Sequence, residues 1–193
     1  MTESEVLSLF EKSGALLTGH FVLTSGKHSD RYFEKFNVLN QPVHVEALCR
    51  ELAVRLAPFK PDVVLGPTTL GVLLAYETAK HLTVPAAYGE KGADGKRFLR
   101  RPEHIAPGMR VAVVDDVLTT GGSVRECLEL VESCGATTCA VGLLVDRSGG
   151  AVRFGDAATV SLLPLAVEAF APDAVPDWLA AVPITRPGST GKK

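Results

Sequence analysis

Apolar residues follow two rhythms along the chain. From Ser4 to Leu16, "SEVLSLFEKSGAL" places them at helical spacing with Gly14 as a stop, which predicts a helix. "HFVLTSGKHSDRYFEKFNVL" then reads as two short strands around a Ser-Gly turn, and "VHVEALCRELAVRLAPF" after Pro42 reads as an amphipathic helix ending before Pro58. From Asp62 the rhythm changes to short β-branched runs without alternation, "DVVLG", "VPAAYG", "RVAVVDD" and "TTCAVGLLVDR". Helical segments such as "LGVLLAYETAKHL" and "SVRECLELVESCG" lie between them. Strands apolar throughout are buried on both faces, so their alternation with helices predicts an α/β fold around a mostly parallel sheet. One domain over residues 1–187 is expected, with the N-terminal hairpin and the segment after Gly150 packed onto it as additions. The polar tail 188–193, "GSTGKK", is expected to be disordered.

Composition narrows the function classes. A chain of 193 residues can bury roughly 70% of its unfolded surface without disulfide or metal staples. With 46% hydrophobic residues, 22% charged residues and a net charge of −2, nothing draws the whole molecule to nucleic acid or to an anionic membrane. No apolar run approaches the roughly 18 residues of a membrane span, and the first residues lack a basic, then apolar, leader; the cytoplasm is the expected location. Cys49, Cys127, Cys134 and Cys139 form no C-x-x-C pair and sit among apolar neighbours, as buried, reduced thiols do.

The chemistry concentrates after the strands, because an open parallel sheet binds ligands beyond its carboxyl ends. Four loops qualify: "GPTTLG", the long "GEKGADGKRFLRRPEHIAPG", "DDVLTTGGS" and "DRSGG". In the third, Ser123 followed by Glu126 has the spacing of a capping box, which predicts a helix beginning at Ser123. Its unpaired N–H groups, those of Gly121 and Gly122 and the hydroxyls of Thr119 and Thr120 would surround one phosphate. Asp115 and Asp116 stand beside this cradle, where an anion alone would not favour them. Sugar diols donate to carboxylates, and Mg2+ shared with a pyrophosphate tolerates acids nearby, so a ribose 5-phosphate fits both features. Neither G-x-x-x-x-G-K-[ST] nor G-x-G-x-x-G is present in this unit.

Apolar strand, two acids and "VLTTGGS" resemble the 5-phosphoribosyl 1-pyrophosphate (PRPP) motif of type I phosphoribosyltransferases. The hairpin "LTSGKHSDRYFEKF", the loop "GPTTLG" and "LLVDRSGG" are similar to the orotate phosphoribosyltransferases within that family. The resemblance implies the type I fold, a central sheet flanked by helices with a small hood made by the N-terminal hairpin and C-terminal segment. It also implies Mg2+-dependent transfer of phosphoribosyl from PRPP to N1 of orotate in pyrimidine synthesis, the ion being bound mainly through PRPP and not by dedicated protein ligands. A homodimer sharing the 89–108 loop across its interface is implied as well. By the same resemblance Asp115 and Asp116 face the ribose hydroxyls, and Thr119, Thr120, Gly121, Gly122 and Ser123 hold the 5-phosphate. Val117 and Leu118 join these two groups along PRPP. Thr119 also approaches orotate, Tyr32 and Phe33 lie beside its ring, and Arg147 meets its carboxylate with a planar guanidinium fork.

The 89–108 loop carries Lys91, Lys96, Arg97, Arg100, Arg101 and His104, with Gly92 and Gly95 to bend it. A closing basic lid would stabilise the departing pyrophosphate and exclude water from the oxocarbenium-like centre. Lys91 matches the family's loop, and Lys96 stands as the second lysine at altered spacing. Thr24 and Leu70 occupy positions where many members carry PRPP-binding lysines, so those contacts are missing or come from Lys27, Lys35 or the main chain. Two rivals share the motif: a phosphoribosyltransferase for a purine base, which gives Arg147 no carboxylate, and a non-catalytic PRPP sensor, for which a strongly basic face is expected.

Overall fold

The computed structural model describes residues 1–23 and 25–187. Helix α1 spans Glu3–Lys12, strands β1 and β2 span Leu16–Val22 and His28–Phe33, and α2 is the single turn Phe36–Leu39. Helix α3 is Pro42–Leu56, followed by β3 at Val63–Pro67, α4 at Leu70–Leu82 and β4 at Ala86–Lys91. Then come β5 at Arg97–Phe98, β6 at Arg110–Leu118, α5 at Gly122–Ser133 and β7 at Thr137–Asp146. Strand β8 at Ala158–Pro164, α6 at Asp177–Ala180 and β9 at Ile184–Thr185 complete the described chain. Thr2 caps α1 with a reciprocal Glu5 contact, and Pro42 begins α3 at a position where its missing N–H costs nothing.

Six strands form the central sheet in the order β5-β4-β3-β6-β7-β8; all are parallel except β5, which runs antiparallel to β4. Within β6, Ala112 and Val114 face a core shared with α1, α3 and α4, while Val111 and Val113 face a second core under α5. Both faces of the pleat are therefore apolar, which is why the sequence shows an unbroken run there and not alternation. Among the described residues, no helix is long and apolar enough to cross a membrane.

The segment after Gly150 is not the simple addition expected. Ala158–Pro164 enters the sheet as β8, parallel to β7, and only the chain beyond Pro164 joins the hairpin. There β1 pairs with β2 on one side and β9 on the other, Phe170 bridges His28, and the Ser29 hydroxyl donates to the Glu168 carbonyl at 2.8 Å. These contacts make the small hood. Phe36–Leu39, expected as strand, winds into α2 instead. The tail 188–193 lies outside the described residues.

Cys49 and Cys127 are buried, and burial pushes both thiols up to about 12, far from thiolate chemistry. Cys134 and Cys139, expected to be buried, are half-exposed because one caps the end of α5 and the other lies near the start of β7.

Candidate active site

The sheet reverses its strand order between β3 and β6, the point at which the loops from two neighbouring strands diverge and leave a crevice. A cavity of about 580 Å3 occupies it. Its walls are Phe33, Lys35 and Phe36 on the hood side, residues 67–71 after β3, and Asp115, Asp116, Val117, Thr119 and Ser123 after β6, with Arg147 beyond β7. A hollow of about 170 Å3 shares Asp115, Val117, Thr119 and Ser123 with it and is closed by Leu118, Thr120, Gly121, Gly122 and Val124. The turn after β3 lies close against its strand, since a Cβ on Gly66 would come within 2.0 Å of the Gly71 carbonyl oxygen.

The smaller hollow sits at the amino end of α5, where unpaired N–H groups and the helix dipole favour an anion. The helix begins one residue earlier than its sequence predicts. Gly121, at φ +81°, is the cap; Ser123 lies inside the first turn, and no side-chain capping bond forms. The expected capping box is therefore absent: a left-handed glycine ends the incoming loop, leaving the Ser123 hydroxyl on the hollow's wall and Glu126 turned elsewhere.

Asp115 and Asp116 end β6 side by side. The Asp116 N–H donates to Asp115 Oδ1 at 2.9 Å, and the Val117 N–H donates to Asp116 Oδ1 at 2.6 Å. Asp116 is only 5% exposed, and its Oδ2 lies 2.7 Å from Lys35 Nζ. Burial, followed by the neighbouring Asp116 charge, raises the Asp115 carboxyl from 3.8 to about 6. Because the folded protein binds this proton more tightly than the unfolded chain, the group's contribution to stability falls as pH rises from about 4 to about 6 and stays low above that. The shift corresponds to about 2–3 kcal/mol at neutral pH. Asp115→Asn is accordingly expected to raise the melting temperature by roughly 4–8 °C at pH 7.5 and by little near pH 4, while lowering turnover. Thermal unfolding of both proteins across this pH range checks it; a melting temperature at pH 7.5 equal to or below that of the parent would contradict it.

Arg147 lines the larger cavity just past β7, where its main-chain N–H donates to the Leu118 carbonyl at 2.8 Å. Its Nε is buried without a hydrogen-bond partner, and burial lowers the guanidinium below its ordinary value. A buried, unpartnered Nε on a guanidinium that lines the cavity fits a planar carboxylate entering with a ligand.

Phe33 walls the cavity while its ring meets Phe10 edge-on at 5.0 Å. Tyr32 does not reach it, because it packs on Phe21 at 5.6 Å within the hood; Phe36, which nothing in the sequence marked, stands on the wall instead. Leu70 is on the wall as the first residue of α4, and Thr24 lies outside the described residues.

The basic segment is a hairpin and not an open loop. Strand β4 continues to Lys91, turns through 92–95 and pairs with β5. Lys91 Nζ binds Glu126 Oε1 at 2.9 Å, holding that carboxyl below its usual range. Arg97 Nη1 donates to the Gly89 carbonyl at 2.9 Å, and its Nε makes an ionic contact with Glu126 Oε2 at 3.0 Å without hydrogen-bond alignment. Arg100 grips Glu90 with two bonds of 2.7 and 2.6 Å. Lys96 is exposed at the turn, and His104 borders a separate hollow with Tyr88 and Leu99. In this conformation neither Lys91 nor Lys96 walls the cavity.

Residues 37–163 match the phosphoribosyl transferase domain family. The chain is 47% identical to an orotate phosphoribosyltransferase of Pelotomaculum thermopropionicum, over 98% of each chain. Among solved structures it resembles orotate phosphoribosyltransferase from Aeropyrum pernix, with a TM-score of 0.69 and 29% identity over 83% of this chain and 93% of that one. An adenine phosphoribosyltransferase from Thermoanaerobacter pseudethanolicus shares the fold at a TM-score of 0.61, with 22% identity over 70% of this chain and 88% of that one.

Proposed function

The chain belongs to the orotate phosphoribosyltransferases, and from this premise we propose that it transfers the 5-phosphoribosyl group of PRPP to N1 of orotate, giving orotidine 5'-monophosphate and pyrophosphate. The observation that carries the reading is the buried, unpartnered Nε of Arg147 in the same cavity as an acid pair and an anion cradle. A carboxylate-bearing base answers Arg147; a neutral purine does not, although the fold also serves an adenine enzyme.

In this reading the 5-phosphate occupies the hollow at the start of α5, among Thr119, Thr120, Gly121, Gly122 and Ser123. The ribose hydroxyls donate to Asp115 and Asp116, with Val117 and Leu118 forming the floor between sugar and phosphate. Orotate lies against Phe33 and Phe36 with its carboxylate on Arg147. As N1 bonds the anomeric carbon, the bond from that carbon to pyrophosphate breaks with its electron pair on the departing oxygen, and the N1 proton passes to the pyrophosphate or to solvent. Release of Lys91 from Glu126, with Lys96 at the tip of the same hairpin, would bring positive charge to the leaving group and shut out water.

Mg2+ would arrive on the pyrophosphate and keep several waters, near but not caged by Asp115 and Asp116, whose two carboxylates on one strand end tolerate the ion while serving the ribose hydroxyls. The ion would neutralise charge that develops on the departing pyrophosphate. Val43 on α3 and Leu73 and Tyr76 on α4 leave apolar surface exposed, which supports a homodimer; sharing the 89–108 segment across that interface is part of the same reading. A cytoplasmic setting suits the reduced thiols.

Mixing the protein with PRPP, Mg2+ and orotate should deplete orotate absorbance only when the metal is present, with uracil, adenine and guanine inert by product analysis. Turnover of a purine in place of orotate would refute the reading. PRPP binding without turnover of any base would support the sensor.

A further inference from the structure

Lys35 has a definite structural role that the reaction described above does not use. It projects from the cap of α2, 40% exposed, and places Nζ 2.7 Å from Oδ2 of the nearly buried Asp116. Asp116 Oδ1 already accepts the Val117 N–H. Both oxygens of this carboxylate are therefore engaged, and a ribose hydroxyl that binds Oδ2 must share it with the ammonium or displace it.

The charged groups on the cavity wall are Lys35, Asp115, Asp116 and Arg147, two of each sign. Arg147 is matched to the base carboxylate. Without Lys35 the acid pair would present unbalanced negative charge to a polyanionic substrate. Other lysines stand elsewhere: Lys27 is in the β1–β2 turn, where its carbonyl accepts from the Leu23 N–H, and Lys91 is held by Glu126. A flexible ammonium is a point charge suited to pyrophosphate oxygens, whereas a carboxylate is better served by the guanidinium fork.

We propose that Lys35 exchanges partners during binding, serving as the counter-ion of Asp116 and then, as the ribose hydroxyls take Asp116, as a ligand of the PRPP pyrophosphate. This rests on the PRPP-dependent reading of the cavity and assigns a specific cation to its pyrophosphate subsite.

The test is calorimetric binding of three probes to the parent protein, Lys35→Met and Lys35→Arg, each with Mg2+: PRPP, inorganic pyrophosphate and ribose 5-phosphate. Loss of one charge-assisted contact should weaken PRPP and pyrophosphate by about ten- to a hundredfold in Lys35→Met, with Lys35→Arg recovering most of it. Ribose 5-phosphate should bind Lys35→Met as well as or better than the parent, because its hydroxyls no longer compete for Asp116. A merely structural role would weaken all three probes together and would refute the proposal. So would unchanged PRPP binding with a raised KM for orotate, which would give Lys35 to the base. If Lys35→Met fails to fold, Lys35→Gln takes its place, removing the charge while keeping a polar side chain: pyrophosphate affinity lowered alone supports the proposal, and equal loss for ribose 5-phosphate, or no loss for pyrophosphate, overturns it. Orotate turnover by the parent protein tests the underlying reaction separately from these binding measurements.

Discussion

Arg147→Ala is expected to lower kcat/KM for orotate by about a thousandfold while leaving PRPP affinity within about twofold. The size follows from burial. The guanidinium already bears the cost of leaving water, as the lowering of its pKa by burial reports, and its Nε has no partner within the protein. An incoming carboxylate supplies charge and acceptors together, beside a half-buried guanidinium whose Nε is shut off from water. Truncation removes that interaction and leaves the substrate carboxylate to be desolvated alone. Arg147→Lys should recover only part, since one ammonium cannot reproduce the parallel pair of N–H donors. Stability should move the other way: removing a charge with an unsatisfied buried donor should leave the melting temperature unchanged or slightly higher. Steady-state kinetics with orotate and uracil, alongside thermal unfolding, separate the cases. Reduced preference for orotate over uracil at an unaltered melting temperature is the expected outcome; full retention of orotate turnover would remove Arg147 from the site.

The parts of this architecture visible in the sequence are those decided by neighbouring residues. The apolar runs at 63–67, 110–118 and 137–146 are strands because both faces are buried, and α4 occupies Leu70–Leu82 as its pattern predicts. Strand β8 carries no such signal because "ATVSLLP" is an edge strand, half-buried over most of its length and carrying small and polar residues where the central strands carry valine. At α5, Ser123 and Glu126 have the spacing of a capping box, but Glu126 instead pairs with Lys91 and contacts Arg97. Local spacing could not reveal that competition. The same holds for Lys35 and Asp116, which meet only because the tertiary fold brings the cap of α2 within reach of the end of β6. The acid pair and the residues lining the hollow at the start of α5 stand out together in the sequence since they lie in one short segment. The aromatic wall was legible at Phe33, while the Tyr32 contact with Phe21 and the Phe36 position depend on how the hood closes.

Gly121→Ala should cost about a hundredfold or more in kcat/KM for PRPP, whereas Gly122→Ala should leave the fold intact. The two glycines are adjacent, yet their environments differ. Gly121 holds φ at +81°, a conformation that costs an L-residue roughly 1–2 kcal/mol. Its Cβ would come within 2.9 Å of Val152 Cγ1 and 3.1 Å of the Phe154 ring. The valine methyl can yield, but Phe154 is buried in the core beneath α5, so part of the displacement must pass to the backbone. That backbone carries the N–H groups that line the hollow, and hydrogen bonds to an anion weaken steeply when their donors turn away. A melting temperature lower by roughly 4–10 °C should accompany the loss. A Cβ on Gly122 would meet nothing within 4 Å, and its φ is not in the left-handed range, so alanine there introduces no comparable strain and favours the helix. Any loss of PRPP affinity in Gly122→Ala would therefore report crowding of the phosphate itself. Calorimetric titration of both variants with PRPP and Mg2+, paired with thermal unfolding, distinguishes strain from crowding. Equal PRPP affinity in Gly121→Ala and the parent would show that the first turn of α5 does not form the phosphate site.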